Sequence, residues 1–209
     1  MKTTSGWIKS GKAAIMSLLC LAAFAVEAGS QPLSDPDLFS SPWSAFRSYS
    51  FPDHYIRHRN YLGEVTRLGS NLDQLDSTFR VVKGLAGRVD GTPTVSFESK
   101  NFPAFYLRHH HFRIKLHKND GSEIFRKDAS FKWRPGLGAS LEEGFNSLES
   151  VNFPGYYIRQ RSDNPNEEAA RVFHLYLEKS PPKTLNSEER HSPVSRWRRD
   201  CTFKRVRRR

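Results

Sequence analysis

The chain has 209 residues, a formal charge of +11, eight histidines and two cysteines. That length supports one domain with a substantial core, and two cysteines exclude a disulfide-built scaffold. The last 14 residues, from Arg196, carry a net +7, so the body is nearly balanced and a uniformly basic nucleic-acid-binding surface is excluded.

Lys2, Lys9 and Lys12 precede an apolar run from Ala13 to Val26, and Val26-Glu27-Ala28 ends in a small residue. This is the layout of a secretory signal over 1–28, cleaved after Ala28, with an uncleaved signal anchor as the alternative. The run is short for a membrane span and no later segment is apolar for long enough. Cleavage removes Cys20 and leaves Cys201 alone, so the fold stands on its core. Residues 29–43, rich in Gly, Ser, Pro and Asp, read as a linker.

From Ala45 the chain repeats itself. Ser50-Phe51-Pro52, Asn101-Phe102-Pro103 and Asn152-Phe153-Pro154 follow one another at intervals of 51 residues. Each is preceded by a strand-like run ending in Ser48, Ser99 or Ser150. Each is followed by Tyr55-Ile56-Arg57, Tyr106-Leu107-Arg108 or Tyr157-Ile158-Arg159. A second signature matches Asp76-Ser77-Thr78-Phe79 to Asp128-Ala129-Ser130-Phe131, and a Gly-Leu follows each, at Gly84-Leu85 and Gly136-Leu137. Phe112, Ile114 and Leu116 alternate as in a strand, and helical periodicity is absent after the signal. Short strands with regular turn signals predict an all-β sandwich or barrel, and three units of about 51 residues predict pseudo-threefold symmetry in one closed domain. The repeats are 45–95, 96–146 and 147–206, with a basic tail at 207–209.

The third repeat is stretched. Its matching aspartate is Asp200, 40 residues after Gln160, where His58 to Asp76 spans 18 and His109 to Asp128 spans 19. Aligning Phe173–Lys179 with Phe112–Lys118 places ten extra residues before this strand and eleven after it, both polar and expected as surface loops.

These residues resemble the arabinose-binding domain of α-L-arabinofuranosidase B, carbohydrate-binding module family 42. The match rests on Phe97-Glu98-Ser99, Asn101-Phe102-Pro103, Tyr106-Leu107-Arg108-His109 and Asp128-Ala129-Ser130-Phe131, with Tyr55-Ile56-Arg57-His58 and Asp76-Ser77-Thr78-Phe79 as partners, over residues 44–206. The resemblance implies a β-trefoil whose third subdomain carries insertions. It also implies a sugar pocket in each subdomain, with the motif His and Asp on ligand hydroxyls. It assigns His109, Asp128, Tyr106 and Asn101 to one pocket and His58, Asp76 and Tyr55 to its equivalent. Tyr157, Gln160 and Asp200 form a third, with glutamine in the histidine's place. A carboxylate accepts two hydroxyl protons, a neutral imidazole donates or accepts, and an aromatic ring covers the apolar edge of a furanose.

Arg57, Arg108 and Arg159 read as structural forks tying backbone carbonyls, and Phe51, Phe102 and Phe153 as core. His109 and His111 would share a strand face, a poor metal site, so no metal and no cofactor is expected. The expected function is a secreted, monomeric, non-catalytic module that binds α-L-arabinofuranosyl side chains of arabinoxylan or arabinan, without nucleic acid. Two alternatives stand beside it. One is α-L-arabinofuranosidase activity, which the family carries on a separate catalytic domain with no room between the signal and the first repeat. The other is a surface-interaction protein with degenerate pockets.

Overall fold

The computed structural model describes residue 39 and residues 43–138, 144–182 and 192–208. The predicted signal and all but Phe39 and Trp43 of the predicted linker lie outside the described residues, as does most of the second insert. Among the described residues no helix is long and apolar enough to cross a membrane.

Four strands recur in each of three lobes. Lobe one holds β1 (Trp43–Ser48), β2 (Tyr55–Arg59), β3 (Leu62–Thr66), helix α1 (Asn71–Asp76) and β4 (Phe79–Val89). Lobe two holds β5 (Thr92–Ser99), β6 (Phe105–His110), β7 (Arg113–Lys118), α2 (Glu123–Asp128) and β8 (Phe131–Pro135). Lobe three holds β9 (Phe145–Ser150), β10 (Tyr156–Arg161), α3 (Pro165–Ala170), β11 (Phe173–Lys179), α4 (Pro193–Asp200) and β12 (Phe203–Arg208).

The first and last strands of each lobe pair antiparallel around a closed ring, β1–β4–β5–β8–β9–β12 and back to β1. The middle strands form three hairpins whose inner strands β3, β7 and β11 pair with one another across one end. A six-stranded barrel capped by a hairpin triplet is the β-trefoil, and closure leaves no open barrel edge to template aggregation. Phe46, Phe79, Val81, Phe97, Phe131, Leu148 and Phe203 point into the barrel and are buried. Each such side chain removed from water contributes about 1.5–3 kcal/mol. Phe46 and Phe97 meet edge to face at 5.1 Å.

The repeated sequence signals have repeated physical causes. Ser99 and Ser150 donate to Asn101 and Asn152, each at 2.8 Å, and Ser150 also accepts the Phe153 N–H. Phe-Pro then starts a tight turn closed by Phe105 N–H to the Phe102 carbonyl and Tyr156 N–H to that of Phe153. The residue after proline takes positive φ at Ala104 (66°) and Gly155 (79°), the demand of a type II turn. Glu98 and Glu149 brace these two turns by accepting the N–H of Ala104 and of Gly155. The Gly-Leu signature lets β-strands approach closely: a Cβ on Gly84 would collide with Thr94, and the following amides of Leu85 and Leu137 donate to Ser96 and Ser147.

Three expectations need correction. The first insert of lobe three, expected as a loop, contains helix α3, while the other short helices, α1, α2 and α4, end on Asp76, Asp128 and Asp200 within the all-β fold. Helices of six to eight residues span barely two turns, too few for periodicity to register. Ser70, Ser122, Asn164 and Ser192 cap them, each accepting an N-terminal amide. His111 does not continue the strand with His109; it sits with Phe112 in a two-residue turn at positive φ. Arg207 and Arg208 belong to β12 rather than to a free tail.

Candidate functional site

The histidine and aspartate of lobe one meet because β2 carries His58 and the end of α1 carries Asp76. Both are buried, and His58 Nε2 lies 3.5 Å from Asp76 Oδ1. The residue that joins them comes from the next lobe. Asn101 donates to Asp76 Oδ1 at 2.7 Å, and its carbonyl lies 3.1 Å from His58 Nε2. Lobe two repeats this with Asn152, which donates to Asp128 at 2.7 Å and lies 2.9 Å from His109 Nε2. His109 and Asp128 approach to 3.2 Å. Asn101 therefore completes the site of His58 and Asp76, not that of His109 and Asp128. The Asn-Phe-Pro turn follows a barrel strand that pairs with the preceding lobe's last strand, so it lands against that lobe's helix.

The motif arginines hold the motif aspartates. Arg57 donates to Asp76 at 2.7 Å and also binds Asp73, while Arg108 binds Asp128 and Arg159 lies 3.5 Å from Asp200. Each carboxylate of lobes one and two thus keeps one oxygen on arginine and one on asparagine, fixed in orientation with lone pairs left for a ligand. As expected, Arg57 and Arg108 also each donate to a backbone carbonyl, of His58 and of His109, both at 3.3 Å, while Arg113 Nη1 donates to the carbonyls of Gly63 and Leu175, each at 2.6 Å, and so ties the three hairpins together. Burial holds both His58 and His109 below the ordinary imidazole pKa, so each is neutral at pH 7.

Aromatic rings gather beside each cluster, and Phe112, expected to begin a strand with Ile114 and Leu116, stands instead in the turn before β7. Tyr61 and Phe112 occupy the second position of the two hairpin turns, at φ 63° and 59°. A bulky side chain in this conformation is strained, and such strain gathers at binding sites. Tyr61 packs 5.4 Å from Phe102, whose ring stands edge-on to His58 at 5.4 Å; Phe112 packs 5.2 Å from Phe153, which stands 5.3 Å from His109. The Asn-Phe pair thus delivers both an amide and a ring, and Phe102 packs against the core while bordering the cleft. A cleft of about 380 Å³ is lined by His58, Tyr61, Leu72, Asp76 and Phe102 among others.

The motif tyrosines lie elsewhere. Tyr106 shares a strand face with Arg108 and packs on Phe125 of α2, Tyr157 packs on Trp197 of α4, and Tyr55 sits beneath Arg208. Alternation along each strand turns them away from the adjacent histidine's face. A signal for Tyr61 and Phe112 existed in their offset of 51 residues, at the turn between two alternating runs.

Lobe three departs from the pattern. Ser50 replaces the asparagine and donates to Asp200 at 2.8 Å. Gln160 takes the histidine's position and is 1% exposed, and its amide has no partner among the described residues. Burial pushes the Asp200 carboxyl up. Phe51 stacks on Phe173 at 4.4 Å. The first insert is pinned at the surface by Asp163, which accepts from His174 at 2.7 Å and Tyr176 at 2.6 Å. Cys201, level with Ser77 and Ala129, is buried and its thiol is pushed well up by burial, which suppresses its reactivity.

The sequence profile of the alpha-L-arabinofuranosidase B (ABFB) domain matches residues 44–166. The chain belongs to the AbfB domain family. Among its relatives, an extracellular exo-alpha-(1->5)-L-arabinofuranosidase of Streptomyces avermitilis is 46% identical over 97 residues, which is 46% of this chain and 19% of that protein. An alpha-L-arabinofuranosidase B of Emericella nidulans is 34% identical over 95 residues, 46% of this chain and 18% of the relative. The likeness therefore spans about a fifth of each relative's length. In solved structures, a GH54 α-L-arabinofuranosidase soaked with a cyclic sulfate inhibitor superposes with a TM-score of 0.60 at 24% identity, over 79% of this chain and 31% of that one. A β-trefoil crystal structure named BEL superposes with a TM-score of 0.50 at 10% identity, over 78% of this chain and 92% of its own. The second supports the trefoil. The AbfB likeness is concentrated in lobes one and two, where the His–Asp–Asn clusters are complete.

Proposed function

We propose that this AbfB domain is a secreted carbohydrate-binding module that recognises α-L-arabinofuranosyl side chains of arabinoxylan or arabinan through lobes one and two. The observation that carries the reading is the twofold recurrence of a buried His–Asp pair, bridged by a half-buried asparagine, beside a strained aromatic turn. A furanose presents hydroxyls on one side and a thin apolar edge on the other. The neutral imidazole and oriented carboxylate suit the hydroxyls, and Tyr61 with Phe102, or Phe112 with Phe153, suits the edge. Asp76 and Asp128 lie in different lobes and each is occupied by an arginine, an arrangement for holding sugar rather than for the opposed carboxylate pair of a glycosidase.

Calorimetry against arabinoxylan and the same xylan stripped of arabinose tests this. Binding is expected to disappear with the side chains, and Asp128→Ala is expected to weaken it more than Asp200→Ala. Equal binding to the stripped polymer sinks the arabinose assignment, and arabinose released by the pure protein sinks the non-catalytic one. Secretion is checked by N-terminal sequencing of exported protein, which is expected to begin at Gly29.

A further inference from the structure

Lobe three has its own cleft, about 440 Å³, lined by Tyr49, Ser50, Phe51, Arg196, Arg199 and Asp200. Its chemistry differs from that of lobe one at one helix face. Four residues before the motif aspartate, α1 and α2 expose Leu72 (60%) and Ile124 (71%), whereas α4 places Arg196 there. At the position just before the aspartate, α1 has Leu75, α2 Lys127 and α4 Arg199. The cleft thus combines two guanidinium groups, a serine hydroxyl and two aromatic rings, both already fixed: Tyr49 packs edge-on to Phe145 at 4.9 Å and Phe51 stacks on Phe173. The carboxylate lining it, Asp200, is engaged by Ser50 and Arg159.

We infer that lobe three binds a uronic-acid unit of an acidic polysaccharide, with Arg196 and Arg199 holding its carboxylate and Tyr49 and Phe51 facing the sugar ring. A planar guanidinium matches a carboxylate in a two-point fork, which a neutral arabinofuranose has no group to use. Glu168 of the inserted helix α3 pairs with Arg196 and occupies that guanidinium when no ligand is bound. The inference rests on reading the lobes as sugar pockets, and adds a second ligand class at the third.

The test is calorimetry of the full chain at low salt with trigalacturonate, its methyl ester, a glucuronic-acid-substituted xylo-oligosaccharide and methyl α-L-arabinofuranoside. At least one free-acid oligosaccharide is expected to bind, and the stronger of the two identifies the polymer source. The methyl ester is expected to fail. Arg196→Leu, which installs the residue type of lobe one at a solvent-exposed position, is expected to weaken uronate binding about tenfold, the scale of one lost charge-assisted hydrogen bond, and to leave arabinofuranoside binding unchanged. Glu168→Gln is expected to tighten it. Absence of binding to both acids, equal binding of the ester, or indifference to Arg196→Leu overturns the inference. So does a dT oligomer bound with the same Arg196 dependence, which would mark a phosphate site. Loss of arabinofuranoside binding alone, with uronate binding intact, would count against lobes one and two instead.

Discussion

At the scale of single residues, the asparagine of each Asn-Phe-Pro turn matters most, because it belongs to one repeat and works in another. Asn152 satisfies His109 and Asp128 at once, at 2.9 and 2.7 Å. Asn152→Ser recreates the Ser50 geometry of lobe three. It is expected to destabilise by about 1–3 kcal/mol, the cost of an unmet buried polar group, and to abolish arabinofuranoside binding at lobe two; urea unfolding and calorimetry check the two effects. The histidines set a pH dependence. Because burial depresses His58 and His109 below the usual value of about 6.5, the unfolded chain takes up protons that the folded chain refuses. Stability is therefore expected to rise with pH across that window and to be lost as pH falls from about 6.5 through the depressed folded values. The raised Asp200 acts in the opposite sense, its contribution falling as pH rises above the ordinary carboxylate range. Urea midpoints between pH 5 and 7 should change less in the His58→Gln, His109→Gln double variant than in the native chain; an unaltered slope would remove the histidines as its source.

At the scale of elements, the two-residue hairpin turns separate stability from binding. Asn60-Tyr61 and His111-Phe112 place bulky residues at positive φ where glycine is easily accommodated. Tyr61→Gly relieves about 1 kcal/mol of backbone strain while removing a half-exposed ring, so thermal stability is expected to change little while lobe-one affinity falls. A large loss of stability with unchanged affinity would make Tyr61 a packing residue only. Lobe three has no such turn: between Arg161 and His174, the last paired residues of β10 and β11, the chain runs through α3. The short helices start at capping residues, as in Ser70 with Asp73, which form a complete capping box. Their hydrophobic pattern was silent because so few residues are involved.

At the scale of the whole molecule, closure decides stability. β12 pairs with β1 from Trp43↔Arg208 to Ser48↔Phe203, joining the two ends of the described domain, and Phe203 enters the core. Truncation after Thr202 opens the barrel and is expected to abolish cooperative thermal unfolding by circular dichroism; a sharp transition in the shortened chain would show that the ring tolerates a gap. What the amino-acid sequence determined by itself was the period. Motifs 51 residues apart sufficed for three lobes, for the trefoil through its family resemblance, and for the histidines and aspartates brought together in lobes one and two. What only the tertiary structure decided was membership: Asn101 with His58, Asn152 with His109, Ser50 with Asp200, arginines on aspartates, and Tyr61 and Phe112 packed on the Phe102 and Phe153 rings. The reason is physical. Repetition along the chain fixes what each lobe contains, but a closed ring places each turn against its neighbour, and spacing within one repeat carries no record of which neighbour that is.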